Sequence, residues 1–451
     1  MSRVDLRNDS IGKLFFYFSF PAVAGMMVSA FYVIVDGIFV GRGIGSNALA
    51  AINIAYPITN FLVGLSLMFG VGGATMISIA RGKNQVKEVN NIFSHILFLT
   101  FLAYFIALTT IILFEKNVIT FLGGNATLYN DVRAYLIPSA WFNIFFMLSM
   151  GLNAVVRNDN APKHAMFSMI IGAVVNIFLD ALFIIVFKWG IWGAATATGL
   201  SQVCSFLFLW LHFYNGSSEI RFEKKLRFSP KIITKILING FPSFIIEFAI
   251  AVVTLLFNIV LMKMTGEIGV AAFSIVAYVF YIFRMFFNGL AQGIQPIVSF
   301  NYGANRFDRL KKIFILGHKT SIISALLIII ILNIFKVNIV SSFTNGDEEL
   351  IKLASGGLIG YTSGLVFLAI NFINISYLQS MEKALISNLL SFGRSFFFVV
   401  VGILIYPKIF GIYGVWLTPP LADFTIFAIT LIGYFLKNKN NKNEKIYIQS
   451  E

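Results

Sequence analysis

Two carboxylates stand inside apolar runs of this chain: Asp36 in "YVIVDGIFVGRGIG" and Asp180 in "VVNIFLDALFIIVF". An acid at the middle of a membrane-spanning helix costs about 2.5–3.5 kcal/mol on insertion scales, so each must face a partner or water. Asn176 and Asp180 are i and i+4, on one face of a helix. Ala194, Thr198 and Gln202 carry the same spacing further along, where small residues also permit close packing. Tyr32 precedes Asp36 by one turn. If the three segments converge, two carboxylates, an amide oxygen and a hydroxyl line one cavity. Hard oxygens suit Na⁺. Two neighbouring carboxylates also repel, so the same pair is a proton site. The alternative is a pair of acids solvated at a vestibule wall or satisfied by backbone.

The elements that must hold these residues are set by composition. Of 451 residues, 58% are hydrophobic and 12% charged, with a mean hydropathy of +0.84. A hydrocarbon core of roughly 30 Å takes about 20 helical residues. Windows such as Leu14 to Val35, Ile96 to Phe114 and Ala384 to Tyr406 reach that length almost without charge. A large soluble core is excluded, because the chain lacks the polar faces that would build its surface. The fold class is therefore an all-α polytopic membrane protein. Twelve spans are expected at 14–40, 47–80, 91–114, 133–156, 164–187, 190–214, 236–262, 268–300, 312–335, 351–380, 384–406 and 411–436. The first is too long for the core of a signal peptide and reads as an anchor. The net charge of +14 is not a nucleic-acid patch. With the N-terminus inside, most of the 34 basic residues fall in cytoplasmic segments, including Arg81, Lys83, Arg221, Lys231, Arg306 and Lys312, and both termini are cytoplasmic.

The chain also repeats. At a constant offset of 221 residues Pro21 falls on Pro242, Gly72 on Gly293, Gly82 on Gly303, Asn153 on Asn374, and "WGIWG" (189–193) on "FGIYG" (410–414). Six helices repeat as six, in parallel, as two pseudo-symmetric bundles enclosing a cavity, which is transporter architecture. The expected organisation is an N-terminal bundle over 1–214, a basic cytoplasmic linker over 215–235, a C-terminal bundle over 236–436, and a polar, disordered cytoplasmic tail over 437–451. The repeat partners of Asp36 and Asp180 are Phe257 and Val401, so the acidic set belongs to the first bundle alone. A residue needed only to build a six-helix bundle should occur in both.

The spacing from Pro21 to Asp36, "DGIFVGRGIG", and the Asn176/Asp180/Ala194/Thr198 set resemble the multidrug and toxic compound extrusion (MATE) family, in its prokaryotic branch with an ionisable site in the N-terminal lobe. The resemblance covers essentially the whole chain. It implies that Asp36, Asn176, Asp180, Ala194 and Thr198 form the cation site, with Asp36, Asn176, Asp180 and Thr198 as ligands if Na⁺ is the coupling ion, and that Pro21 lets the first helix bend. It further implies a secondary-active antiporter of the cell membrane, acting as a monomer and exporting amphipathic, often cationic compounds against H⁺ or Na⁺. Another branch of the family carries acids on the seventh and tenth helices. Here the seventh has Glu247, but the tenth, "GYTSGLVFLAINFINISYLQS", has none.

Tyr32, Asn153, Gln202, Glu247, Arg284 and Asn374 are the candidates for a substrate cavity. Glu247 either attracts cationic substrate or reaches the interface, with Arg284 as its partner or facing the cavity. Asp423, after Pro419-Pro420, reads as a packing residue. No enzyme, cofactor or nucleic-acid signal appears: there is no P-loop, the four histidines lack metal-ligand spacing, and Cys204 stands alone. Two rival readings are a lipid-linked oligosaccharide flippase of the same superfamily, which calls for a cationic cavity, and a channel or scaffold, which has no need of a one-sided acid pair.

Overall fold

The computed structural model describes residues 4–124, 127–214, 216, 218–223, 227–344 and 346–448, and among them every regular element is helical. The order is α1 (Ile11–Gly43), α2 (Ser46–Gly82), α3 (Val86–Leu113), α4 (Glu115–Phe121), α5 (Tyr129–Asn158) and α6 (Pro162–Asp180), then a π-helical turn (Ala181–Val186) and α7 (Gly190–Tyr214). The second half runs α8 (Pro230–Thr265), α9 (Glu267–Gly303), α10 (Phe307–Ser341), α11 (Glu348–Thr362), α12 (Leu365–Gln379), α13 (Ala384–Phe392), a π-helical turn (Gly393–Phe397), α14 (Phe398–Phe410) and α15 (Ile412–Ile448).

Among the described residues eleven helices are long and apolar enough to cross a membrane, twelve if α11 and α12, bent by 43°, count as one span. The expected tenth span, 351–380, is thus broken where Ser363 and Gly364 interrupt it. The polar tail departs from expectation as well. Residues 437–448 continue α15 as helix, since the segment contains neither Gly nor Pro to stop it. Part of the basic linker, Lys224 and Lys225 included, lies outside the described residues. Apolar side chains face outward along whole helices, as Phe101, Leu102, Phe105 and Ile106 do on α3, and Ile330, Ile331 and Ile334 on α10. That is the surface lipid requires.

Close packing divides the chain into two units that do not coincide with the repeat. The first comprises Met1–Ala251, Tyr281–Gly317 and Ile375–Asn388; the second comprises Val252–Phe280, His318–Asn374 and Leu389–Glu451. Within the first unit α1 packs on α6, α6 on α7, and α5 lies between α2 and α7. Here the repeat becomes visible as contact. A Cβ on Gly82 would stand 2.2 Å from the Phe300 carbonyl oxygen, and one on Gly303 would stand 2.2 Å from that of Ile79. Both pairs are related by the 221-residue offset, so α2 and α9 cross where each half offers the same glycine to the other. Gly82→Ala and Gly303→Ala should each cost about 1–3 kcal/mol by overpacking. Thermal unfolding in detergent checks this against Gly12→Ala, where a Cβ meets nothing within 4 Å.

The ends of the helices gather by hydrogen bonds within this unit. Arg7 Nη2 donates to Gly82 O (3.5 Å), Asn160 Nδ2 to Val4 O (2.8 Å), and Arg309 Nη2 to Asp9 O (2.6 Å). The α2–α3, α5–α6 and α9–α10 connections therefore gather around the N-terminal segment within this unit.

Candidate functional site

Asp36 reaches Asp180 because α1 and the segment after α6 approach closely. A Cβ on Gly43 would be 2.5 Å from Ile184 Cγ2, so the end of α1 lies tight against the π-helical turn. That turn starts at Ala181, directly after Asp180. A π-turn is rare inside α-helices and frequent at functional sites, because it re-aims the side chains beside it. The carboxyls of Asp36 and Asp180 come within hydrogen-bonding reach of each other. As two carboxylates neither can donate, and Asp36 Oδ1 and both Asp180 oxygens are buried without a partner.

Asn176 joins them. It is fully buried, its Nδ2 donates to Thr198 Oγ1 over 3.4 Å, and its Oδ1 has no donor. Ala194 is buried on α7 one turn before Thr198. Four buried oxygens that lack donors, on three converging side chains, form a place for positive charge, since unsatisfied acceptors are costly in low dielectric. Among the described residues no group of three or more His, Cys, Asp or Glu could hold a metal. What the fold offers a cation is an oxygen set of two carboxylates, an amide and a hydroxyl. At the repeat position of Asp36 the second half places Phe257, fully buried and stacked on Phe273 at 4.9 Å.

Sequence reasoning missed the tyrosines beside this pair. Tyr135 of α5 lies near both acids, and Tyr56 of α2 and Tyr281 of α9 lie near Tyr32. With 16 tyrosines in the chain, no spacing could have singled these out.

The substrate-cavity candidates divide. Tyr32, Asn153 and Gln202 line one cavity in the first unit, together with Arg157, Ser149 and Gln292. Asn374 does not line it: its Oδ1 lies 3.0 Å from His318 Nε2 in the second unit. Glu247 is half-buried, and Arg284 acts on it electrostatically without forming an ion pair within 4 Å. Arg284 instead lies over the Tyr281 ring, 5.4 Å from its centroid. Pro21 is buried inside α1, which runs unbroken through it. Asp423, read from sequence as a packing residue, is paired: Arg394 Nε donates to its Oδ1 at 2.5 Å and Asn371 Nδ2 at 3.0 Å, in the second unit.

The MatE family model matches this chain over residues 21–182 and 242–405. The chain belongs to the multidrug and toxic compound extrusion (MATE) family. The two matched segments begin at the repeat partners Pro21 and Pro242. This MATE protein is 25% identical over 443 residues to the multidrug export protein MepA of Staphylococcus saprophyticus, covering 96% of this chain and 95% of that one. It is 24% identical over 437 residues to MepA of Staphylococcus aureus strain MSSA476, covering 95% and 94%. Its fold matches the crystal structure of a MATE protein in complex with MaL6 at a TM-score of 0.91, with 21% identity, over 98% of this chain and 100% of that one.

Proposed function

We propose that this MATE protein is a secondary-active multidrug exporter of the cell membrane, acting as a monomer with both termini cytoplasmic. It expels amphipathic, often cationic organic compounds in exchange for H⁺ or Na⁺ taken up at Asp36 and Asp180. The observation that carries the coupling site is the set of four donorless oxygens on Asp36, Asn176 and Asp180. A proton between the two carboxyls gives one of them the donor it lacks. Na⁺ does the same for all four oxygens, with the Thr198 hydroxyl as a further ligand. The full-length match to proteins named as multidrug exporters supports the substrate class. The clustering of Arg81-, Arg157- and Arg306-bearing ends around the N-terminal segment supports the cytoplasmic termini. In this reading the repeat defines two functional lobes, 1–214 and 236–436, and Pro21 is the hinge of α1, because its ring removes a helix hydrogen bond there.

Coupling requires that ion and substrate favour different states of one element. Charge neutralisation of the acid pair removes its repulsion, lets α1 repack around Pro21, and withdraws contacts from a compound held by the first lobe. Everted vesicles with separately imposed Na⁺ and H⁺ gradients test this. Dye accumulation driven by at least one gradient is expected, and accumulation indifferent to both rejects coupling.

Glu247 is the cavity acid in this scheme. Glu247→Gln should weaken export of a cationic dye several-fold while export of a neutral substrate changes little. Equal effects on both dyes would place Glu247 at the interface instead.

A further inference from the structure

We propose that the cavity beside Arg157 is a binding site for a small monovalent anion of chloride size. Arg157 occupies the last turn of α5 and is only 2% exposed. Its Nη1 donates to Asn153 Oδ1 at 3.2 Å, but its buried Nε has no acceptor. Among the described residues no carboxylate lies within 4 Å of it. The acid nearest in sequence, Asp159, is taken by Arg81 at 2.9 Å and by His212 at 2.8 Å. A guanidinium does not lose its proton in a protein, so burial cannot neutralise it. The carbonyls ending α5 supply only a fraction of a negative charge. A buried full charge calls for a counter-charge, and the described residues place none within 4 Å of it.

The space for one is present. Arg157, Asn153, Ser149, Ser168, Ser205 and Gln202 border one side of a cavity of about 40 Å³, enough to admit a halide ion beside the guanidinium. The Gln202 oxygen already accepts from Ser149 Oγ at 2.7 Å, which leaves its amide nitrogen as a donor toward the cavity. Neither Asp36 nor Asp180 lines it.

The second half of the chain serves as an internal comparison. At the 221-residue offset Gln202 corresponds to Asp423 and Ala173, another wall residue, to Arg394. There the position is filled by a side-chain ion pair, 2.5 Å between Arg394 Nε and Asp423 Oδ1. The first half has its buried arginine at a different position, Arg157, whose repeat partner is Leu378, and has neutral Gln202 where the second half has the carboxylate. The anion missing from the sequence is the one the cavity admits from solution.

The test uses full-length protein in detergent at fixed pH, Na⁺ concentration and ionic strength, with chloride, bromide or the bulky gluconate as anion. Unfolding should occur a few degrees higher in chloride or bromide than in gluconate, saturating with halide concentration. Gln202→Glu, which builds in the carboxylate that the second half already has, should unfold at one temperature in all three salts. Arg157→Gln should likewise lose the halide dependence. Identical wild-type unfolding in chloride and gluconate overturns the site, as does a halide effect that persists in Gln202→Glu. Transport is not read in either arm, so the outcome is independent of whether Asp36 and Asp180 couple.

Discussion

Asp36→Asn is expected to reduce gradient-driven export to the level of vesicles without the protein. An amide keeps the shape of the side chain but neither carries charge nor exchanges a proton at neutral pH. Asp180→Asn should act in the same direction. The variants should also fold at least as well as the parent protein, which separates coupling from folding. Replacing one of two facing buried carboxylates removes a repulsion, and the new amide can donate to the remaining acid, whose oxygens otherwise lack donors. Unfolding temperature should therefore hold or rise while transport disappears. Drug resistance at wild-type level in a normally expressed Asp36→Asn strain would sink the assignment. A fall in stability accompanying the loss of transport would recast the acids as structural.

The second large effect is expected far from that pair in sequence. Asp423→Ala should destabilise the protein by about 3–5 kcal/mol, the usual consequence of leaving one partner of a buried ion pair uncompensated. Arg394 is 7% exposed, and beside Asp423 it meets the neutral Phe372 ring, 4.3 Å from the guanidinium carbon. Arg394→Met should be comparably harmful, because it strands Asp423. The double variant Arg394→Met/Asp423→Leu should recover most of the loss, since well-packed apolar residues often replace a buried pair without cost. A double-mutant cycle in detergent measures this. Additive losses would mean that the two charges are not coupled.

These two acids show how far sequence reasoning reaches. Asp36 and Asp423 are both lone carboxylates in apolar helices, and composition treats them alike. The repeat distinguished neither role for Asp423, because its counter-charge Arg394 lies 29 residues away in one of several long apolar windows. For Asp36 the sequence went further. Helical spacing joined Asn176 to Asp180, and the partner Phe257 at the equivalent position marked the acid as belonging to one half.

What the sequence by itself determined is local or additive. Hydropathy summed over about 20 residues specifies spans, and eleven long helices with one bent pair lie where the apolar windows are. The i, i+4 rule puts Asn176 beside Asp180, and a constant offset reveals the duplication through Gly and Pro positions that a helix crossing needs. The tertiary structure decided what depends on approach between segments distant in the chain. Gly43 against Ile184 and the π-turn after Asp180 bring the two acids together, and Tyr135 joins them from a third helix. Arg157 became significant only once packing had enclosed it beside a cavity and committed Asp159 to Arg81 and His212. The boundary between the packed units cuts through α8, α9, α10, α12 and α13 and does not follow the repeat. Burial, counter-charge and enclosed volume are properties of several helices at once, and no window along one helix contains them.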